Sequence, residues 1–319
     1  MPLGEFDVIA RYFSRSSPRG DVLLGVGDDA ALLRPPPGQA LVAATDTLVE
    51  GRHFLPGTPA NAIGHQALAV NLSDLAAMGA EPAWALLALS MPCPDERWLA
   101  DFADGLYALA ERHGVALVGG DTVSGPLVVT IEVLGFVPPS AALLRSGARA
   151  GDLIIVSGAP GVAAAGLEEL QSGRATFESK DARVRRFLRA EPRLALGRAL
   201  RGSATAAMDV SDGLLGDLGK LARSSGVGAC IDLERLPVAP ELAAYPLAEQ
   251  ERLVLHGGDD YELLFTLPAD RFGHIANLAA AGGCSLQCIG SIVPGEGVEC
   301  RRDGAHVNVA GKGYDHFAT

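Results

Sequence analysis

The stretch GVGDDAALLRPPP, residues 25–37, decides which phosphate-handling architecture is open to this chain. Gly25, Gly27 and Ala30 follow an apolar run with the G-x-G-x-x-A spacing of a dinucleotide-binding turn. Such a turn must open a helix. Pro35, Pro36 and Pro37 arrive within about two helical turns, and proline in a helix interior removes an N–H and clashes with the preceding turn. Asp28 and Asp29 would also repel a pyrophosphate at a helix N-terminus unless a cation intervened. The Rossmann reading is therefore rejected. The chain also lacks G-x-x-x-x-G-K-[ST] and the protein-kinase signature set, so any use of ATP must rest on another fold.

Working outward, Asp28 and Asp29 are the first of several acidic residues placed beside glycines or at the ends of apolar runs. The others are Asp46, Asp74, Asp121 in GGDT, Asp209 and Asp212 in MDVSDG, and Asp259, Asp260 and Glu262 in GGDDYE. The expectation is that strands give way to loops there, where α/β proteins build sites and glycine admits a close ligand. Any one of these residues could instead cap a helix or close an Asx-turn. As a set that converged, each pair at about 4 Å would repel by about 4 kcal/mol at an effective dielectric near 20. Hard divalent cations remove that conflict. Mg²⁺ suits carboxylates drawn from separate loops, because it keeps waters and substrate phosphates in its shell.

The bulk properties agree with a metal-mediated phosphate chemistry. At 319 residues the chain exceeds one ordinary core, and 48% hydrophobic with 20% charged residues marks a globular enzyme. A formal net charge of -12 argues against nucleic acid or an anionic membrane as partner, since both need clustered cations. The one basic cluster, Arg183, Arg185, Arg186 and Arg189, reads as a solvated helix face. Cys93, Cys230, Cys284, Cys288 and Cys300, with no signal peptide evident, predict a reducing, cytoplasmic setting, and Cys284 and Cys288 read as small buried thiols rather than half a zinc site. Apolar runs all stop short of the ~20 residues of a membrane span.

Periodicity predicts strands over Ala40–Thr45, Ala83–Ser90, Leu127–Phe136, Asp152–Ser157, Ala206–Val210 and Leu263–Leu267. Helices are predicted from Pro59 to Met78, after an Asp95 N-cap up to Gly114, and over Val162–Leu170, Pro192–Leu200 and Asp212–Ala222. The first of these would set Asn71 and Asp74, three apart, on one face. Periodicity lapses between Pro138 and Gly151. The expected class is α/β or α+β with two domains, residues 1–140 and 141–319.

Nine ordered segments carry a resemblance: GEFDVIARYF (4–13), GVGDDAALL (25–33), TDTLVEGRHF (45–54), ALAVNLSDLAAMGAEPAW (67–84), LVGGDT (117–122), LLRSGARAGD (143–152), DVSDGLLGDL (209–218), GGDDYELLFT (257–266) and KGYDHFAT (312–319). They span nearly the whole chain and resemble the motifs of bacterial thiamine-monophosphate kinases, in the superfamily of aminoimidazole-ribonucleotide synthetases, selenophosphate synthetases and a hydrogenase-maturation protein. The resemblance implies an N-terminal α/β domain binding ATP and Mg²⁺, whose sheet helps form a homodimer, and a C-terminal α+β domain completing the active site. It further implies that Asp29, Thr45, Asp46, Asp74, Asp121, Asp209 and Asp212 are ligands of several Mg²⁺ ions around the ATP phosphates. Gly120, Asp121, Arg145 and Ser211 match ATP-contacting positions, and His53, Glu262 and Tyr314 match positions facing thiamine monophosphate. Many relatives carry serine where this chain has Ala44, which leaves only a backbone carbonyl as donor there.

For the non-acidic residues the residue-level reading stays open. Arg145 could be a surface charge, His53 a structural histidine, and Tyr314 with Phe317 a packing anchor. The activity implied is transfer of the γ-phosphoryl group of ATP to thiamine monophosphate, in line and without a phosphoenzyme. A phosphate monoester is largely dianionic at neutral pH, so no general base is expected. Two alternatives are another ATP-using enzyme of the superfamily and a non-catalytic cation-binding module. A selenophosphate synthetase would carry a reactive residue near the N-terminus, whereas the first cysteine here is Cys93.

Overall fold

The computed structural model describes residues 3–309, apart from residue 17. Tyr314, with the rest of the last motif, lies outside the described residues. The chain divides into two compact units, one of Met1–Leu75 with Ala80–Ser140 and one of Ala76–Gly79 with Ala141–Thr319.

The first unit opens with a short helix α1 (Glu5–Val8), widened into a π-helical turn from Ile9 to Phe13. Strands β1 (Val22–Leu24) and β2 (Leu32–Leu33) form a small antiparallel pair, so residues 25–31 make a turn between strands and open no helix. A four-stranded sheet follows from β3 (Ala40–Val49), β4 (Glu81–Met91), β5 (Ala116–Ser124) and β6 (Val128–Val137), in the order β3-β6-β4-β5. Only β4 and β5 run parallel. Side chains alternate across the sheet. Val129, Ile131 and Val133 of β6 are buried on one face, where helix α2 (Ala60–Ala77) places Leu75 against Gly135. On the other face β1 and β2 pack Val22 and Leu33 against buried Trp84 and Phe136, and the remainder, carrying Leu41, Thr45, Glu132, Ala88, Asp121 and Val123, is open, with Leu41 at 52% and Val123 at 50% exposed.

Helix α3 (Glu96–His113) is built as its sequence dictates. Asp95 accepts a hydrogen bond from the Trp98 N–H at 2.9 Å, and Gly114 ends the helix at φ 66°. Leu99, Phe102, Leu106 and Leu109, three to four apart, are all buried, each stabilising the fold by about 2 kcal/mol. Against α2 the two helix backbones approach so closely that a β-carbon at Gly105 would collide with the Asn61 carbonyl oxygen, and one at Gly64 with that of Phe102.

The second unit contains β7 (Leu153–Ser157), α4 (Val162–Gln171), α5 (Ala182–Leu188), α6 (Leu194–Leu200), β8 (Ala206–Val210), α7 (Leu214–Ser225), β9 (Gly228–Asp232), α8 (Leu247–His256), β10 (Glu262–Leu267), α9 (Ala269–Ala281), β11 (Leu286–Val293), β12 (Gly297–Arg302) and β13 (Ala305–Val307). Its seven strands lie in the order β13-β12-β9-β11-β7-β10-β8, with only β9 and β12 parallel. Ile154, Val156, Met208, Val210 and Leu264 of this sheet share one core with Leu214, Leu218 and Leu221 of α7.

Two expectations are corrected here. Strand β3 does not stop at Thr45, because the β-branched run continues and β6 pairs with it as far as Val49, which leaves Asp46 inside a strand opposite Ile131. Asp121 likewise lies within β5 rather than at its end, while Asp209 falls near the end of β8 and Asp74 within α2, as the periodicity predicts. Second, Arg183 and Arg186 are not a solvated face. Both are about four-fifths buried, because Val184, Phe187 and Leu188 anchor the short helix α5 and turn the two guanidiniums onto carboxylates. All five cysteines are free thiols, with Cys93 exposed and Cys230 and Cys300 buried. Among the described residues no helix is long and apolar enough to cross a membrane.

Candidate active site

In the first unit a cavity of about 880 Å³ opens over the exposed sheet face. Its lining combines the apolar side chains Phe6, Ile9, Phe13 and Leu33 with Asp28, Asp29, Thr45, Gly120, Asp121 and Glu132. Four of the sequence-predicted residues therefore come together. Asp28 Oδ1 accepts the Asp29 N–H at 2.8 Å, Asp121 Oδ1 accepts the Thr122 N–H at 2.9 Å, and the Thr45 hydroxyl donates to the Ile131 carbonyl at 3.1 Å. Asp46 does not join them. Strand alternation puts it with Leu48 on the helix-covered face, half-buried. Asp74 is half-buried on α2, next to Asn71 and Ser73, both fully buried. His53 stands in the turn after β3, where its Nδ1 accepts the Val49 N–H at 3.0 Å, which fixes the proton of the neutral ring on Nε2.

In the second unit Asp209 is buried near the end of β8, and Ser211 and Asp212 form the turn before α7. This turn is tied from two sides. Asp217 Oδ2 accepts both the Ser211 and Asp212 N–H groups at 3.0 Å, and Lys220 bridges Asp212 at 2.5 Å and Asp217 at 2.8 Å. The loop at residues 257–261 lies against it, since the Asp259 N–H donates to the Ser211 carbonyl and the Tyr261 N–H to the Val210 carbonyl, each at 3.0 Å. Asp259 and Tyr261 hold φ of 65° and 52°, a strained left-handed backbone for residues that are not glycine. Arg145 is exposed, and its carbonyl accepts the Ser225 hydroxyl at 3.1 Å.

Glu262 opens β10 and is 1% exposed. Its Oε1 accepts Arg186 Nη2 and Arg193 Nη2, both at 2.5 Å, and its Oε2 accepts Arg193 Nε at 2.7 Å and the Ser157 hydroxyl at 2.5 Å. Burial pushes this carboxyl up, but the two guanidiniums outweigh it and hold the group below the usual range. On its neighbours burial is the larger effect and wins. Asp260, which accepts the Gly161 N–H at 2.5 Å at the start of α4, is pushed up to about 7, and Asp259 to about 6 with the charge of Asp212 contributing.

The sequence did not single out Arg193, Asp217 or Lys220, and it placed Arg186 on a solvated helix face. The Asp217–Lys220 pair could have been found from its i, i+3 spacing on a helix. The arginines could not, because 76 and 69 residues separate them from Glu262. Among the described residues no three His, Cys, Asp or Glu side chains form a ready-made metal cage. Oxygen donors gathered in ones and twos, as Asp29, Thr45 and Asp121 are around one cavity, fit a cation such as Mg²⁺ that fills its shell with waters and phosphates.

A cavity mixing apolar and acidic walls beside an α/β sheet, with a second unit of helices on an antiparallel sheet, defines a class. Residues 27–137 match the family described as AIR synthase related protein, N-terminal domain, and residues 149–303 match AIR synthase related protein, C-terminal domain. The chain is 49% identical to the thiamine-monophosphate kinase of Escherichia coli O157:H7 over 324 residues, covering 100% of both. The thiamine-monophosphate kinase structure from Stenotrophomonas maltophilia K279a is 45% identical with a TM-score of 0.88, covering 96% of this chain and 99% of that one. AaThiL complexed with AMPPCP and TMP is 33% identical with a TM-score of 0.78, covering 89% of each chain. The chain thus belongs to the thiamine-monophosphate kinase family, within the AIR synthase related proteins, and is an enzyme of that family.

Proposed function

We propose that this enzyme transfers the γ-phosphoryl group of ATP to the phosphate of thiamine monophosphate, giving thiamine diphosphate and ADP. The observation that carries this reading is identity of nearly half over the full length with a thiamine-monophosphate kinase, joined by likeness to a relative complexed with AMPPCP and TMP. The acceptor is already dianionic near neutral pH, so the barrier lies in aligning two anions rather than in exposing a nucleophile. Mg²⁺ would neutralise charge on both phosphates and on the transferred group. Asp29, Thr45 and Asp121 in the first cavity, with Asp46 and Asp74 behind them and Asp209 and Asp212 in the second unit, are the proposed ligands. Gly120, Asp121, Arg145 and Ser211 are proposed to hold the nucleotide, and His53, Glu262 and Tyr314 the acceptor. Transfer is direct and in line.

The same reading includes a homodimer through the exposed sheet face and a cytoplasmic setting, which five unpaired thiols support. Its test is product analysis with Mg²⁺ and ATP against two acceptors. Thiamine monophosphate should give thiamine diphosphate and ADP, while free thiamine, lacking the nucleophilic phosphate, should give no product. Comparable phosphorylation of free thiamine would overturn the role given to the acceptor phosphate.

A further inference from the structure

The acidic wall of the first cavity, Asp28 and Asp29, stands on the turn of a hairpin that cannot fix its own position. Strands β1 and β2 are three and two residues long, their register shifts between Val22 and Leu24, and they form a sheet separate from the four-stranded one. An isolated two-stranded pair of that length is not stable by itself. Other contacts must set the distance between this turn and the sheet-borne lining residues Thr45 and Asp121. Part of the hold is apolar, since Val22, Ala31 and Leu33 pack against buried Trp84 and Phe136, whose rings meet edge to face at 5.0 Å. Apolar contact has no preferred direction, so alone it permits sliding along the sheet.

The directional part converges on Asp21, the residue before β1. Its two oxygens take the Arg19 fork, from Nε at 2.9 Å and Nη2 at 2.6 Å, and Oδ1 also accepts the Trp84 indole N–H at 3.2 Å. Its carbonyl accepts the Arg34 N–H at 2.9 Å, which ties the far leg of the hairpin to the near one. Arg19 Nη1 donates at 2.8 Å to the carbonyl of Gly114, the residue that ends α3 two positions before β5. Asp21 thus joins both legs of the hairpin to β4, through Trp84, and to the start of the strand that carries Asp121, through Arg19. The Arg19 guanidinium holds the Asp21 carboxyl below the usual range, so the junction stays charged near neutral pH.

We propose that Asp21 is a positioning residue of the nucleotide cavity: with Arg19 and Trp84 it sets the Asp28–Asp29 turn at a fixed place relative to Thr45 and Asp121 before any ligand arrives. That the cavity takes a nucleotide rests on the function proposed above, whereas the clasp rests on its contacts alone. A clasp of purely structural meaning would lower the stability of the whole unit without singling out the turn or the ligand. A positioning clasp releases the turn locally, and displacing functional groups by about 1 Å can cost on the order of 100-fold.

Asp21→Asn keeps the shape but breaks the fork, because its amide turns a donor toward Arg19. Two readouts are taken well below the melting temperature. Hydrogen–deuterium exchange without ligand should quicken at least about tenfold over residues 22–34 and less than about twofold over α2 and α3. Calorimetric affinity for the non-hydrolysable analogue AMPPCP with Mg²⁺ should fall at least about tenfold, while the KM for thiamine monophosphate changes by less than about twofold. Unchanged exchange over residues 22–34, exchange that quickens everywhere alike, or unchanged AMPPCP affinity overturns the inference. Trp84→Phe keeps a ring against Phe136 and leaves Arg19 on Asp21 while removing the indole donor. It should move both readouts in the same direction by at least about threefold, and it decides the matter if Asp21→Asn does not fold. A wild type that binds AMPPCP but forms no thiamine diphosphate fails the proposed function and leaves the clasp standing, and one that does not bind AMPPCP overturns both.

Discussion

Thr45 and Asp46 are adjacent in sequence and face opposite sides of β3, one into the cavity and one toward the helices. A cation bound by both would have to sit where the strand's edge lets it reach each side, and β3 is an edge strand of its sheet. Asp46→Asn keeps the shape and removes the charge. For a residue with a purely structural part in the strand, the change should alter stability by about 0.5 kcal/mol or less and leave catalysis intact. For a metal ligand the metal-free melting temperature should hold or rise, while turnover with Mg²⁺ and ATP falls at least about tenfold, roughly 1.4 kcal/mol of transition-state stabilisation. Melting curves with and without Mg²⁺, paired with turnover at saturating substrates, decide between the two. Near-normal turnover with an unchanged Mg²⁺ requirement would remove Asp46 from the ligand set.

At the scale of elements, α4 shows how a side chain can occupy an anion site from within. Its first N–H groups, from a glycine-bearing turn after β7, would suit a phosphate, yet Asp260 already accepts from Gly161 and Ala163. Burial outweighs those donors, so the folded carboxyl takes up its proton near pH 7, against an ordinary value of 3.8 for an exposed aspartate. Between those values the native state holds more protons than the unfolded chain, so unfolding free energy falls as pH rises. The stabilising contribution is complete below the lower value and gone above the upper one. Urea unfolding at about pH 5 and about pH 8 should show the wild type losing on the order of 2 kcal/mol more than Asp260→Asn. Equal losses would mean that Asp260 is ionised throughout.

Much at this scale was legible in the sequence. The Asp95 cap, the spacing of Trp98, Phe102, Leu106 and Leu109, and Gly114 gave α3 its bounds, and β8 was read to the residue, because caps and apolar period act over neighbouring residues. The carboxylates were recognisable as a set, but their placement was not. An edge strand tolerates polar residues, so nothing local marked β3 as continuing through Asp46, and no local signal connects Arg186 to Glu262 across the chain. Half of the basic cluster was misread for the same reason. A charged helix looks solvated until its partners are known.

For the whole molecule, the exposed face of the four-stranded sheet has to be accounted for. Leu41 and Val123 are half exposed on it, and apolar positions on an open sheet favour a covering partner. With a second copy as that partner, light scattering in dilute solution should give twice the 32.9 kDa chain mass, and a fully active persistent monomer would refute it. The tight crossing of α2 and α3 bears on a different matter, the engineering of a hardier enzyme. Replacing helical glycines with alanine is an obvious first library, since each success gains up to about 1 kcal/mol. Gly64 and Gly105 are closed to that strategy because backbone oxygen stands where the methyl would go. Gly219 in α7, whose nearest neighbours to a new methyl stand at 3.6 and 3.9 Å, is where such a library has room to succeed.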